Sequence, residues 1–592
     1  MHMFLNTKLS AVTLLAMAAC GTIAHAGTVP DARIREAASR TLVLLQKVGS
    51  DWKVQCVSCH HQSLPMMALQ SARERGLPID EQAARAHAAK TLAPLLSSID
   101  KAVQANFIID PPVSDGYALL TAHAAGVAPS LTTAVYARRI GNWQRKDGHF
   151  PTIDGRPPHS SSVFTSTALA SRAIALYYPR QLEAERQSKL LLARKWFVSN
   201  HPESTEDHAF RLMGLGWTGG SEIERIHAAS KLLALQRADG GWSQLPALES
   251  DPYSTGQALV ALRQAGGITP DDPNWQRGLQ YLLKTQAADG SWFVKSRINS
   301  KAPHSPPYFD SGFPYGRDQY ISCAATAWAV MALLEALPVV AQPAKPLSIN
   351  EAEPSGIEPW MEAALFGPVP ELRALLDAGL DPNTATKEGT SLLMMAATDP
   401  QKVALLLERG AKVNQAAKSG YTPLLVASVY QNNAESVRIL LEKGAKVKPE
   451  GKVMFNASPL FLAAFAGDTA TVELLAARGA AIDQSMMLLG MLHMSPIQIA
   501  AVKNDANMVR ALVKAGANVN QVDVVGMTAL SWVSLQQKAD MIRTLLELGA
   551  NPKVIDKLGQ TPIEHANSIA HSGHEARWLL QRATAPDLAQ TR

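Results

Sequence analysis

Two thiols and an imidazole stand together in a chain that otherwise hardly uses cysteine, as Cys56-Val57-Ser58-Cys59-His60. Only four cysteines occur in 592 residues, which excludes a scaffold held by disulfides. The spacing is that of a c-type haem attachment sequence. Two thiols add across the vinyl groups of the porphyrin while the histidine that follows reaches the iron. The same side chains also suit a zinc ion held by Cys56, Cys59 and His60, a Cys56–Cys59 disulfide, or inert cysteines. With haem bound, His208 and His159 are the candidate sixth ligands. His61 is adjacent to the proximal ligand and is expected to point elsewhere, and Met66 and Met67 are expected to pack in the core. An open sixth position suits peroxide or oxygen chemistry, and two axial ligands suit electron transfer.

Haem attachment needs an extracytoplasmic setting, and the N-terminus reads as one. Lys8 precedes an apolar run over 9–19, and Ala24-His25-Ala26 supplies small residues for cleavage before Gly27, so residues 1–26 are expected to be a signal peptide of a periplasmic or secreted protein. Met17-Ala18-Ala19-Cys20 loosely matches a lipoprotein box, which leaves lipidation of Cys20 as the alternative. No later segment is long and apolar enough to span a bilayer. A net charge of +5 over this length gives no reason to expect a nucleic-acid partner. Hydrophobic residues at 47% and charged residues at 18% are those of a folded chain, and the length calls for at least two domains.

The elements that must position the Cys-His motif are repetitive. Gln144 to Phe150, Gln236 to Trp242 and Gln286 to Trp292 share one form: Gln, Gly four on, aromatic six on. Gln46 to Trp52 is a degenerate copy with Gly49 one place early. The starts are separated by 144−46 = 98, 236−144 = 92 and 286−236 = 50 residues, multiples of a period of about 50 with two copies eroded. Each copy follows one helical pattern and precedes another. The motif resembles the Gln-Trp repeat of squalene–hopene cyclases and protein prenyltransferases over 31–337. That resemblance implies about six helical hairpins closed into an α/α toroid, with inner helices beginning near His60, Asp115, Ser160, Glu206, Pro252 and Asp318 around the mouth of a cavity that accepts a small apolar ligand. Asp207, His208, Arg317 and Asp318 are then the candidate catalytic side chains, with helix capping as the alternative for the aspartates. Tyr308 to Tyr320 is long for a connection and is expected to face substrate, or else to plug the ring. Cys323 reads as a small buried residue. The cyclase Asp-x-Asp-Asp acid is absent, and Ile321 stands where a prenyltransferase-type zinc ligand would accompany Cys323. An oxidoreductase is therefore favoured over a terpene cyclase, if the chain is an enzyme.

Prolines at 338, 343, 346, 354 and 359 mark 338–357 as an extended linker. Beyond it a Thr/Ser-Pro-apolar start, an Ala-rich helix, a Leu-rich helix and Gly-Ala-x-Val/Ile-Asn recur, starting at Thr390, Thr422, Ser458, Ser495, Thr528 and Thr561. The pattern resembles the ankyrin repeat, about seven copies over 358–580 with an atypical first from Trp360 to Asn383, and implies a solenoid whose concave wall docks a protein partner. Packing of that wall on the toroid is the alternative. The whole is read as an all-α chain, an exported haem redox or sensing protein that docks a partner. A toroid enzyme on an apolar or isoprenoid-like substrate, with zinc or acid catalysis, and a non-catalytic scaffold are the other two readings.

Overall fold

Gly148, Gly240 and Gly290, the glycines of the three clean copies, adopt φ of 108°, 88° and 87°, a region closed to most side chains. A Cβ on them would also fall 2.2 Å from Leu192 O, 2.6 Å from Arg277 O and 2.8 Å from Arg40 C, so each turn lies against the backbone of the next outer helix. The glutamine completes the joint. Gln144 Nε2 donates to Gly148 O and Lys189 O, Gln236 Nε2 to Gly240 O and Asn274 O, and Gln286 Nε2 to Gly290 O and Ala37 O. The aromatic amide donates to a threonine of the following inner helix: Phe150 to Thr167, Trp242 to Thr255, Trp292 to Thr326. Each motif thus staples one hairpin to its neighbour, and Gln286 staples the last hairpin to the first.

The computed structural model describes residues 28–51, 59–96, 98–104, 110–153, 157–159, 161–297, 311–340, 357–488, 492–567 and 574–585. The outer helices are α1 (Asp31–Asp51), α3 (Glu81–Leu96) with a short α4 (Ile99–Val103), α6 (Leu131–Gly141), α8 (Glu183–Ser199), α10 (Glu222–Leu233) and α12 (Pro273–Thr285). They alternate with inner helices α2 (Leu64–Glu74), α5 (Ser114–Ala124), α7 (Val163–Tyr177), α9 (Thr205–Trp217), α11 (Pro252–Gln264) and α13 (Gln319–Glu335). Each inner helix packs on the next, and α13 packs back on α2, closing a ring of six hairpins. The inner helices are buried nearly all round, α13 from Ile321 to Glu335 without interruption, as their Ala-rich sequences require. Phe210 of α9 and Trp328 of α13 meet edge to face at 6.0 Å, with α11 between their helices.

After Leu337 the chain is described to Val340, whose amide donates to Glu74 O, and the remaining linker residues before Ile357 lie outside the described residues. Pro359, counted with the linker prolines, is the first residue of α14 (Pro359–Leu365), which pairs with α15 (Val369–Asp377). Six more pairs follow: α16 (Leu392–Met395) with α17 (Pro400–Glu408), α18 (Pro423–Ala427) with α19 (Ala434–Glu442), and α20 (Pro459–Ala466) with α21 (Thr469–Ala477). Then come α22 (Pro496–Val502) with α23 (Ala506–Lys514), α24 (Ala529–Leu535) with α25 (Ala539–Glu547), and α26 (Pro562–Ala566) with α27 (His574–Thr584). Thr422, Ser458, Ser495, Thr528 and Thr561 stand at the N-cap positions the pattern marks. The second repeat is capped by Ser391 rather than Thr390, because the turn before it aligns Gly389-Thr390-Ser391 with Gly420-Tyr421-Thr422.

The wall of the stack is not free. On one side Asp100 accepts from Thr386 Oγ1, and Gln104 donates to Thr390 Oγ1 and accepts from Ser419 Oγ, so α4 rests on the first turns of the repeats. On the other side α6 runs along the loops that join the paired helices. Arg138 reaches Leu365 O and Thr398, and Asn142 reaches Val429 O and the Gln431 amide. Arg145 pairs with Asp505 at 2.8 Å, and Gln536 donates to Ile153 O. Arg139 is 1% exposed between Asp115 of α5 and the ring of Tyr136. The toroid therefore covers part of the repeat surface, at these turns and loops.

Candidate functional site

The head of α2 is a π-turn over Cys59–Ser63, which packs against α1, α3, α5 and α13. Cys56 lies outside the described residues, and of Cys59 and His60 only the backbone is described. His61, expected to point away, is 1% exposed in a polar cluster where the N-terminal ends of the inner helices converge. Its Nε2 shares a hydrogen bond with Ser311 Oγ at 2.8 Å, and Ser311 in turn donates to Gln319 Oε1 at 2.6 Å. Burial, with His159 nearby as a second cause, pushes its basicity down to a pKa of about 3, so His61 is neutral at ordinary pH.

His159 is 2% exposed and stacks on Tyr117 of α5 at 5.6 Å. Its Nδ1 lies 3.2 Å from Tyr253 OH, the first turn of α11. Tyr253 OH donates to Glu206 Oε2 at 3.0 Å, and Thr165 Oγ1 donates to Glu206 Oε1 at 2.6 Å. Glu206 is 3% exposed at the head of α9. Burial lowers the basicity of Arg297, opposed by the nearby carboxylates of Glu206 and Asp251. Carboxylate, phenol and imidazole thus form one chain, the arrangement that moves a proton or orients a polar group without bulk water.

The candidate side chains separate. His159 is in the cluster. His208 is not: it is half-buried among Asp207, Arg211 and Lys231, on the side of α9 that faces α10, and burial lowers its basicity. Asp207 is occupied in capping. Its Oδ2 accepts from the amides of Glu203 and Ser204, and its Oδ1 from Ser162 Oγ. Asp318 Oδ1 accepts from Ser296 N at 2.8 Å, tying down the segment that follows Trp292, and Arg317 is exposed. Met66 is fully buried, Met67 is half-buried, and Cys323 is buried in α13 with its thiol pushed up by desolvation. Of the segment expected to face substrate, Ser311 and Gln319 close over His61, whereas Tyr308 to Asp310 lie outside the described residues. Glu206, Tyr117 and Tyr253 were not singled out by the sequence. Their signal was position alone, the first turn of an inner helix. Among the described residues no group of three or more His, Cys, Asp or Glu is arranged to hold a metal ion.

The helix pairs and capped starts coincide with matches of an ankyrin-repeat family model at 360–451, 460–556 and 497–587. The C-terminal region is an ankyrin-repeat domain. Among solved structures, the ankyrin domain covers 99% of the human ASB11 ankyrin repeat domain (27% identity, 39% of this chain, TM-score 0.34). It likewise covers 99% of the ankyrin repeat domain of Bcl-3, a member of the IkappaB family (26% identity, 38% of this chain, TM-score 0.32). The N-terminal helical region is similar to drimenyl diphosphate synthase of Streptomyces showdoensis, 30% identical over 169 residues, 26% of this chain and 31% of the relative. The enzyme of the same name from Streptantibioticus cattleyicolor is 30% identical over 172 residues, with the same coverages. The chain spans about a third of the length of these curated relatives. No described helix is long and apolar enough to cross a membrane.

Proposed function

We propose that the toroid is an exported redox or sensing unit carrying covalent haem at Cys56 and Cys59, with His60 as the proximal ligand. The observation that supports this is the placement of the motif. The Cys59–Ser63 turn opens an inner helix at the polar end of the ring and delivers His61 beside His159, Ser311 and Gln319. When bound, haem supplies electron transfer or small-ligand binding. The chain's own residues exclude water there, and they hold the neutral imidazole of His61 and the hydrogen-bonded carboxylate of Glu206 in the same cluster. The ankyrin repeats dock a protein partner on the surface the toroid leaves uncovered, which includes the exposed Val522, Val524, Ile555 and Leu558 on the turns of the last two repeats. The test is the absorption spectrum of exported protein made with haem-attachment machinery. A Soret band should survive acid–acetone extraction, and Cys59→Ser should lose most of the covalent haem. A colourless protein with one zinc per chain would overturn the reading in favour of zinc at Cys56, Cys59 and His60. A colourless, metal-free protein would leave a disulfide scaffold.

A second reading has its own support. Similarity to drimenyl diphosphate synthases and the Glu206–Tyr253–His159 chain favour an enzyme that moves a proton on an isoprenoid-like substrate. Turnover of a prenyl diphosphate, lost in Glu206→Gln and Tyr253→Phe proteins of unchanged circular dichroism, would establish it. Absence of any product from prenyl diphosphates of several chain lengths would remove it.

A further inference from the structure

One interval between repeat starts holds an insertion. From Ser458 to Ser495 the chain runs 495−458 = 37 residues, against 528−495 = 33 for the next interval. An antiparallel hairpin stands there, with one strand at Met486–Leu488 and the other at Leu492–Met494. Four of the chain's 18 methionines fall within 486–494, together with His493, and that concentration needs a reason. Met491 lies outside the described residues.

Packing accounts for two of the others. Met486 and Met494 oppose one another in the register, and each is 4% exposed, as is Leu488. These three form the inner face of the hairpin. Side chains alternate between the two faces of a strand, so Met487 and His493 stand on the outer face, and both are half-buried. The register sets Met487 directly opposite His493. Opposed residues of an antiparallel pair have Cβ atoms about 4.5–5.5 Å apart. Among the described residues the His493 imidazole makes no hydrogen bond or ion pair, which leaves it to solvent or to a ligand.

The donor atoms decide what such a pair can hold. A thioether is a soft, uncharged ligand and imidazole a borderline one, a set that favours Cu(I). Calcium and magnesium need oxygen donors, and no residue between Asp483 and Asp505 carries a carboxylate or a thiol. Metal bonds of about 2.0 Å to nitrogen and about 2.3 Å to sulfur are within reach of two side chains whose Cβ atoms are that close. Core packing, the role of Met486 and Met494, does not explain a methionine on the outward face.

We propose that Met487 Sδ and a ring nitrogen of His493 hold one soft monovalent cation, Cu(I), between them on the outer face of this hairpin. The site is independent of whatever the toroid carries, and the bound ion ties the two strands together.

The experiment uses the full chain labelled with carbon-13 at its methionine methyl groups and titrated with Ag(I), a stand-in for Cu(I) that needs no reductant. The ion is added in excess over the cysteines, which also bind it. The Met487 methyl resonance is identified by its absence in Met487→Leu, so the thiols do not enter the reading. That resonance should shift and saturate, and Cu(I) added without oxygen should move it too. In His493→Leu, half-saturation should need roughly tenfold more Ag(I) or beyond, since losing a ligand costs at least as much as losing a ligand's hydrogen-bond partner. A Met487 resonance that stays in place with both ions overturns the proposal. So does an equal response in His493→Leu, which would mean a lone thioether, or an equal response of wild type to Zn(II), which would mean a site without preference for a soft ion. If His493→Leu does not fold, His493→Asn is read in the same way.

Discussion

Lys503 Nζ lies 3.8 Å from the centroid of the Trp143 indole, so a buried amine of the ankyrin domain, its basicity lowered by desolvation, sits on a ring of the toroid. Lys503 also donates to Phe465 O, and Phe465 meets Trp143 edge-on at 4.9 Å. Trp143→Ala should therefore cost about 3–5 kcal/mol of stability by denaturant unfolding, as truncation of a buried tryptophan does. Lys503→Met keeps the volume and removes a buried amine whose basicity desolvation already lowers, so it should change stability by less than about 1.5 kcal/mol. A double-mutant cycle should return a coupling on the order of 2 kcal/mol. A coupling near zero would show that the pair is adjacent without interacting.

The two domains should not behave as separate bodies. Cleavage between Pro338 and Pro354 should leave fragments that co-elute in size exclusion, held by Gln104, Arg138, Asn142 and Arg145. A chain ending at Pro346 uncovers Val103, Val135 and Tyr136, all buried in the whole protein, and should aggregate or melt several degrees lower. Fragments that part on the column, each as stable as before, would contradict this.

Ring closure can be weakened at one residue. Gln286 Nε2 donates to Ala37 O at 3.0 Å and Thr41 Oγ1 at 2.9 Å, joining the last hairpin to the first. Gln286→Leu should cost roughly 1–3 kcal/mol, since it strands buried acceptors on α1. Gln46, which pairs with exposed backbone of Asp80, should cost less when changed in the same way. Equal losses at the two sites would deny the closing joint its special place.

Alkaline pH should strengthen the ankyrin domain through Lys538. Burial holds its pKa at about 8 against a usual 10.5, and its ammonium donates to Val502 O. The unfolded chain then binds more protons between those values, so stability contributed by this group rises from about pH 8 to 10.5 and is least below 8. Lys538→Met should lack that rise in a series of denaturant midpoints. Parallel curves for the two proteins would remove the lysine as its cause.

Much of the fold was legible because its determinants are local. A glycine at positive φ, an aromatic and a glutamine at fixed spacing state where each hairpin turns, and Thr-Pro starts state where each repeat helix begins. What was not legible depends on the third dimension. Asp207 and His208 stand beside Glu206 in sequence, but a helix turns about 100° per residue, so only Glu206 faces the ring. The aspartate goes to its own N-terminus and the histidine to α10. Packing of α6 along the repeat loops left no pattern either, because Arg138, Asn142 and Arg145 look like an ordinary solvated face.

The staple from Gln286 to Ala37 and Thr41 joins residues about 250 apart in the chain. Until α12 and α13 have emerged, α1 and α2 have no neighbour on one flank, and their apolar sides are bare. The ring is therefore completed late, by its last hairpin, and its assembly is governed by a long-range encounter rather than by local helix formation. A nascent chain carries an open, adhesive edge for most of its length, and that interval is when it most needs a chaperone.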